Sequence, residues 1–447
     1  MGEYMFSKIK MSLVVIVILL VSSSCTNLTL DEEPKENEEI VEEGIDYGSE
    51  EFVDNRYDSI ENTIISLDKI GERLVGNDGN YNFMNDLKEY LNSNFPEAEL
   101  FIQPYTISLT AEYKVSISSE NNSITFDNFN SICKYINKGK LSESTIVTDT
   151  LEGLDSSKNY IFISEDYSLI EKSKSYENIC LSLQSVDTIF LEQNVIKVKT
   201  DIPTIMNVDN ITAEKLLEYK GEAINLLIDI KNKEFELQNI FAVIKGRQSN
   251  NAIAITSHID STTSLGNNYS KGAIDNGSGI SINLDLLRKN YAKKNTSNYD
   301  LIFAFVNSEE GFLLKSSSGS MVLNDLLSQK YENTLNVNLD CLGEKNIDIL
   351  SYGFDGSINK NVIAEIIISQ ETEELKLEQA EYYTSDNLSF NNSIYFYNFD
   401  YHGENRAIHT ENDTMKAIEI NQLEQLSTII FNILIEIIKL DYTVLFV

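Results

Sequence analysis

Four short apolar runs in the second half of the chain each lead into residues able to bind a metal ion. The run 253–255 ends near His258, 301–306 near Glu309 and Glu310, 335–337 near Asp340, and 394–399 opens into the loop that ends at His409. Runs this short and this apolar read as strands buried on both faces. Helical patterns lie between them, so the predicted fold class is α/β, a mostly parallel sheet with helices on both faces. In such sheets sites form outside the carboxyl ends of the strands, where residues distant in sequence converge.

The chain has 447 residues and only three histidines. Two of them, His258 in SHID and His409 in IHTENDT, sit in motifs that also carry carboxylates. Between them come Asp275 in GAIDNGSG, Glu309-Glu310 in NSEEG and Asp340 in NLDCLG. Two imidazoles with three carboxylates, and one glutamate to spare, make the ligand set of a two-metal hydrolytic centre.

Each motif alone has a bland reading. His-x-Asp is common on surfaces; here both residues follow a buried strand and share a face, so that Asp260 is placed to orient the His258 ring. GAIDNGSG reads equally as a capped tight turn, with glycines for unusual backbone angles and Asn276 and Ser278 as capping types. Asp275 then lies at a rigid strand-to-helix turn where one carboxylate can bridge two cations. Paired glutamates recur through the chain, but only 309–310 closely follows an apolar strand, and adjacent residues there diverge to serve as ligand and as base. Asp340 alone reads as a turn aspartate. Asp413 is a partner for the groups around His409, and His402 reads as a non-catalytic loop residue.

Acidic residues outnumber basic ones 70 to 35, a net charge of -35. That argues against a nucleic-acid partner, because phosphate backbones need a basic face. Lys8 and Lys10 precede an apolar run, 11–21, too short to span a bilayer, followed by three serines and Cys25. Residues 1–24 therefore read as a signal peptide and Cys25 as a lipidation site. Residues 25–54 form an acidic tether, with eleven acidic residues against Lys35 alone between 31 and 51. These features place the protein on the extracellular face of the membrane, or secreted. Three further cysteines leave at least one unpaired, and Cys341 reads as a packing residue. Short alternating runs from about 111 to 235 read as an inserted β-rich domain, flanked by residues 55–110 and 236–447 of the main domain.

The five motifs, in their order, resemble the M28 family of zinc metallopeptidases. Arg73, Gly76, Gly79 and Asn80 are similar to the start of that peptidase domain. The stretch IPTIMNVDNITAEKLL followed by QNIFAVIKG resembles the end of an inserted protease-associated domain and the return to the peptidase. The resemblance implies two zinc ions: His258 and Asp340 on one, Glu310 and His409 on the other, Asp275 bridging. It implies Glu309 as general base and Asp260 as support for His258. The expected substrates are peptides, trimmed from the N-terminus. A metallocarboxypeptidase remains an alternative, with Arg406 as the one cation near a motif. So do a single-zinc glutaminyl cyclase and a non-catalytic binding module. The family's Leu-Gly-Leu-x-Gly-Ser reads Gly311-Phe312-Leu313-Leu314-Lys315-Ser316 here, and its Ser-Asp-His-x-Pro-Phe reads Ser385-Asp386-Asn387-Leu388-Ser389-Phe390.

Overall fold

The apolar runs become neighbouring strands because their side chains are buried alternately in two separate cores. The computed structural model describes residues 55–119, 125–127, 131–136, 142–187, 197–198, 203–247, 250–262, 264–265, 268–294, 297–310, 318–399 and 406–446. The signal peptide, Cys25, the tether, His402 and the segment 311–316 lie outside the described residues. Strand Asn251–His258 is buried at every position. Its Ile253 and Ile255 pack with Leu301, Phe303, Phe305, Leu335 and Val337 in the larger core. Its Ala252 and Ala254 pack on the opposite face with Ile302, Ala304, Val306, Leu323 and Leu327. This is the period-two geometry of a strand covered on both sides.

The strand order across this half is Lys376–Gln379, Ile349–Asp355, Ser393–Tyr397, Asn333–Leu339, Asn251–His258, Asp300–Val306 and Ala223–Ile244. Strand Asn251–His258 pairs in parallel with Asp300–Val306 on one side and with Asn333–Leu339 on the other. The chain therefore changes direction of travel across the sheet at this central strand, leaving a crevice at its carboxyl end. The pairings of Ile349–Asp355 with Ser393–Tyr397 and of Ala223–Ile244 with Asp300–Val306 are antiparallel, so the sheet is mostly but not wholly parallel.

Helices Ile60–Ile70, Gly279–Lys293 and Ile420–Ile437 contribute to the larger core. Ile280, Leu284 and Leu287 face inward, as their spacing predicts, and so do Leu423, Leu426, Ile430 and Ile433. The last helix is a core element. Among the described residues no helix is long and apolar enough to cross a membrane. On the other face Gly319–Lys330 supplies Leu323 and Leu327.

The β-rich segment is reached through two long strands, Glu99–Ser119 and Ala223–Ile244, which pair antiparallel along most of their length. The boundaries expected at 110 and 235 fall inside these strands. Strands Ser142–Thr148, Asn159–Ser164 and Ile179–Val186 extend the sheet beyond them. Two helices, Tyr167–Ser173 and Asn210–Leu217, also lie in this segment, which the alternating runs identify only as β-rich. Cys180 and Cys341 are buried.

Candidate metal centre

The ligand residues come together at the carboxyl edge of the three central strands. His258 ends its strand, Asp340 immediately follows Asn333–Leu339, and Glu309 and Glu310 follow Asp300–Val306 by three and four residues. Asp275 lies in the turn that opens helix Gly279–Lys293, and His409 in the loop after Ser393–Tyr397. His258 Nε2 stands 3.1 Å from Asp275 Oδ1 and 3.2 Å from Asp340 Oδ1. His409 Nε2 stands 2.9 Å from Asp275 Oδ2 and 3.8 Å from Glu310 Oε2. Two ligand triads result, His258-Asp275-Asp340 and Asp275-Glu310-His409, each with its donor atoms within 4.8 Å of one another. They share Asp275, which presents one oxygen to each histidine.

The backbone around these residues is unusual. Ser308, Cys341 and His409 have φ of 59°, 52° and 60°. Positive φ disfavours residues with a Cβ and concentrates at functional sites, where surrounding structure enforces it. The Asp275–Asn276 peptide is cis. Gly272 has φ of 59°, and a Cβ there would come within 2.4 Å of Asp275 O. At Gly279 a Cβ would come within 2.4 Å of Leu339 O. These two glycines let the turn close against the neighbouring strand end. The capping role belongs to Asn276, whose Oδ1 accepts from Gly279 N at 3.0 Å. Ser278, expected as a cap, instead donates to Ile274 O and accepts from Leu342 N, tying the turn to the loop after Asp340.

Asp260 acts differently from the expectation. His258 Nδ1 donates to the main-chain carbonyl of Asp260 at 3.1 Å, while the Asp260 carboxylate is 3.8 Å from that nitrogen. That carboxylate accepts from Glu309 N at 3.1 Å and Glu310 N at 3.0 Å. Its side chain therefore positions the glutamate pair, and its carbonyl orients the ring. Main-chain carbonyls serve this purpose as well as carboxylates do, and the sequence alone does not choose between them.

Other supports come from distant segments. Arg73 is fully buried and donates to three carbonyls, Ile259 O at 2.9 Å, Lys271 O at 2.7 Å and Gly272 O at 2.8 Å. Burial lowers its pKa to about 10, with Asp413 and Asp260 opposing. Asp413 Oδ1 accepts from Ile274 N at 2.6 Å, fixing the turn beside Asp275. Asn80 and Asn307 exchange side-chain hydrogen bonds at 3.0 and 3.1 Å, fastening helix Asp78–Asn94 to the segment before the glutamate pair. Tyr383 was not foreseen. Its hydroxyl donates to Asp340 Oδ2 at 3.1 Å while its ring stacks on Tyr397 at 4.5 Å. No spacing rule links Tyr383 to Asp340; only the sheet order does. Asn387, in place of the family's histidine, donates to Asp355 Oδ2 at 2.8 Å.

The charge balance tests whether cations fit. Asp260, Asp275, Glu309, Glu310, Asp340, Asp386 and Asp413 crowd together, facing Arg73, His258 and His409. Burial, reinforced by Asp386, Asp340 and Asp275, pushes the Glu309 carboxyl well up against the pull of His258. Burial with Asp275 and Glu309 does the same to Glu310. Asp386 and Asp413 are pushed up to about 7, mainly by burial. Burial also acts on Asp275, but hydrogen bonds from His258 and His409 hold it well below the usual range. With Nδ1 donating to a carbonyl, His258 Nε2 is stable between two carboxylates only with a proton or a cation. Glu310 Oε1 is buried without a hydrogen-bond partner among the described residues. Two divalent cations satisfy these atoms together, and mixed imidazole and carboxylate donors suit zinc.

Residues 239–434 match the model of peptidase family M28. That segment, under half of the chain, is similar to the M28 peptidases. A probable leucine aminopeptidase 2 from Aspergillus oryzae is 31% identical over 145 residues, 32% of this chain. The match spans 27% of that relative's length. The structure of BSAP, a zinc aminopeptidase from Bacillus subtilis, superposes with a TM-score of 0.65 at 19% identity, covering 87% of this chain and 98% of that one. An aminopeptidase from Aneurinibacillus sp. strain AM-1 superposes with a TM-score of 0.59 at 19% identity, covering 85% and 93%. At these identities the superpositions establish the fold. All the residues named as metal ligands fall inside the matched M28 segment.

Proposed function

We propose that this protein is a two-zinc aminopeptidase that releases N-terminal residues from peptides. The observation that carries the reading is the pair of ligand triads sharing Asp275. Aminopeptidase is favoured over other M28 activities because the relatives above bear that name. When bound, two zinc ions supply a polarised water and Lewis-acid stabilisation of the carbonyl oxygen. His258 with Asp340, and Glu310 with His409, would each hold one ion, with Asp275 available to both. Glu309 takes the proton of the attacking water and returns it to the leaving amine. Asp260 keeps the glutamate pair in place through the main chain.

The same reading puts the enzyme outside the cell, lipidated at Cys25 and tethered by residues 25–54, on the strength of the sequence features there. Residues 111–235 are taken as a protease-associated-like insert that shields or grips substrate. Arg406 supports a second reading. Its Nη2 lies 3.4 Å from His409 Nδ1, and a guanidinium beside the ligand cluster is the kind of group with which a carboxypeptidase would hold a substrate carboxylate.

The test uses zinc-loaded protein with a pool of free and N-acetylated peptides, with and without chelator, and products read by mass spectrometry. Chelator-sensitive loss of single N-terminal residues from free peptides alone is the expected result. Trimming from the C-terminus moves the assignment to Arg406 and a carboxypeptidase. Absence of trimming by protein that holds two zinc ions defeats both.

A further inference from the structure

At the edge of the sheet opposite the metal-ligand cluster, beyond the ion pairs of Lys245 with Glu99 and Asp300, lies a group of basic side chains. Strand Ala223–Ile244 runs antiparallel to Asp300–Val306, so Ile244 pairs with Leu301 at the start of the latter. The two flanking segments meet there, with Arg247 N donating to Ser297 O at 2.8 Å. Helices Gly279–Lys293 and Ile420–Ile437 end at the same place. Among these ends lies a cavity of about 530 Å³ whose lining includes Arg247, Lys293, Lys294 and Lys439, with Ser297 and Asn298 between them. Among the described residues no acidic side chain lines it, in a chain where acidic residues outnumber basic ones 70 to 35.

A plainer explanation is that lysines in the last turn of a helix offset its dipole. That covers only part of the charge. Each helix end carries roughly half an elementary charge, and Glu436, 2.6 Å from Lys439, adds one more. Together these offset about two of the four positive charges. Arg247 lies on no helix. Lys293 is held over the Phe431 ring, 4.4 Å from its centroid, which directs its stem rather than neutralising it.

We propose that this cavity is a binding site for a phosphate group. The surplus of about two charges matches a phosphate of roughly -1.5 to -2. An arginine fork and lysine ammonium groups are the side chains that recognise phosphate oxygens, and Asn298 adds hydrogen-bonding groups beside them. Ile435 and Ile438 provide an apolar wall for the carbon part of the ligand. The source is either a soluble phosphate ester or the headgroup of an anionic lipid; the recognised chemistry is the same. The site shares no residue with the metal centre.

The experiment uses the full zinc-loaded chain in two arms. Inorganic phosphate is titrated and followed by ³¹P line broadening. In parallel the protein is co-sedimented with phosphatidylcholine vesicles, with and without phosphatidylglycerol. Both are repeated with R247E/K294E and with the milder R247Q/K294Q. The altered side chains are exposed, so the melting midpoint stays near wild type and reports intact folding. Saturable, salt-sensitive binding that the charge reversal weakens by about tenfold or more is expected. Binding of phosphate but not vesicles supports the site with a soluble source. Binding of phosphatidylglycerol vesicles that the reversal abolishes supports it with a lipid source. Absence of saturable binding in both arms, or binding that both variants retain in full, overturns the proposal.

Discussion

Glu309 and Asp275 separate chemistry from metal binding, and substitutions at each give different signatures. Glu309→Gln keeps the size of the side chain and removes its basicity. Turnover is expected to fall by about 10²–10⁴-fold while zinc content stays at two, read by rate assay and elemental analysis on the same sample. Asp275 belongs to both triads and Asp340 to one. Asp275→Asn should therefore lose both ions and Asp340→Ala only one; equal losses from the two variants would contradict a shared ligand. Tyr383→Phe removes the hydrogen bond to Asp340 Oδ2 and keeps the stack on Tyr397. Zinc affinity at that triad should weaken by about tenfold or more, measured by chelator competition. His258, Asp340, Glu310 and His409 were legible in the sequence because each lies in a short motif placed after a buried strand. Tyr383 was not, since its partner lies 43 residues away in a different strand connection. The Asp260 side chain was misjudged because a residue two away from a histidine on one face offers both a carboxylate and a carbonyl.

Among the elements, the turn before helix Gly279–Lys293 carries the most constraint. Gly272→Ala places a Cβ at positive φ and against Asp275 O. Left-handed backbone alone costs about 1–2 kcal/mol, and the contact adds to it. The expected outcome is a lower urea midpoint together with loss of zinc, because the added Cβ presses on the main chain of Asp275, the residue shared by both triads. A lower midpoint with both ions retained would show that the turn moves without carrying Asp275. The strands of this half were readable because burial on both faces leaves unbroken apolar runs, as in 301–306. Positive φ at Ser308, Cys341 and His409 left no trace in residue type, since glycine occupies none of these positions. In the β-rich segment, helices Tyr167–Ser173 and Asn210–Leu217 are too short for a helical period to stand out against alternating neighbours.

For the whole molecule, buried negative charge couples stability to both metal and pH. In metal-free protein Asp386 and Asp413 titrate at about 7 when folded, against about 3.9 when unfolded. The folded state then binds more protons between those values, so stability falls as pH rises from about 4 to 7. His258, whose pKa is raised in the fold by Asp340 and Asp275 against the effect of burial, works in the same direction above its unfolded value. Chelated protein should therefore lose thermal stability between pH 5 and pH 7.5, and zinc-loaded protein should not; parallel melting scans decide this. Arg73→Met leaves three buried carbonyls without their donor. At about 1–3 kcal/mol each, it should lower unfolding free energy by about 3 kcal/mol or more, read from denaturant curves. The two clamps on the 259–276 region come from opposite ends of the chain, Arg73 before the long strands and Asp413 near the last helix. A nascent chain still short of residue 409 has neither that clamp nor His409. The ligand cluster therefore cannot be assembled on the nascent chain until the segment that carries His409 and Asp413 has been made, long after the strands that hold the other ligands.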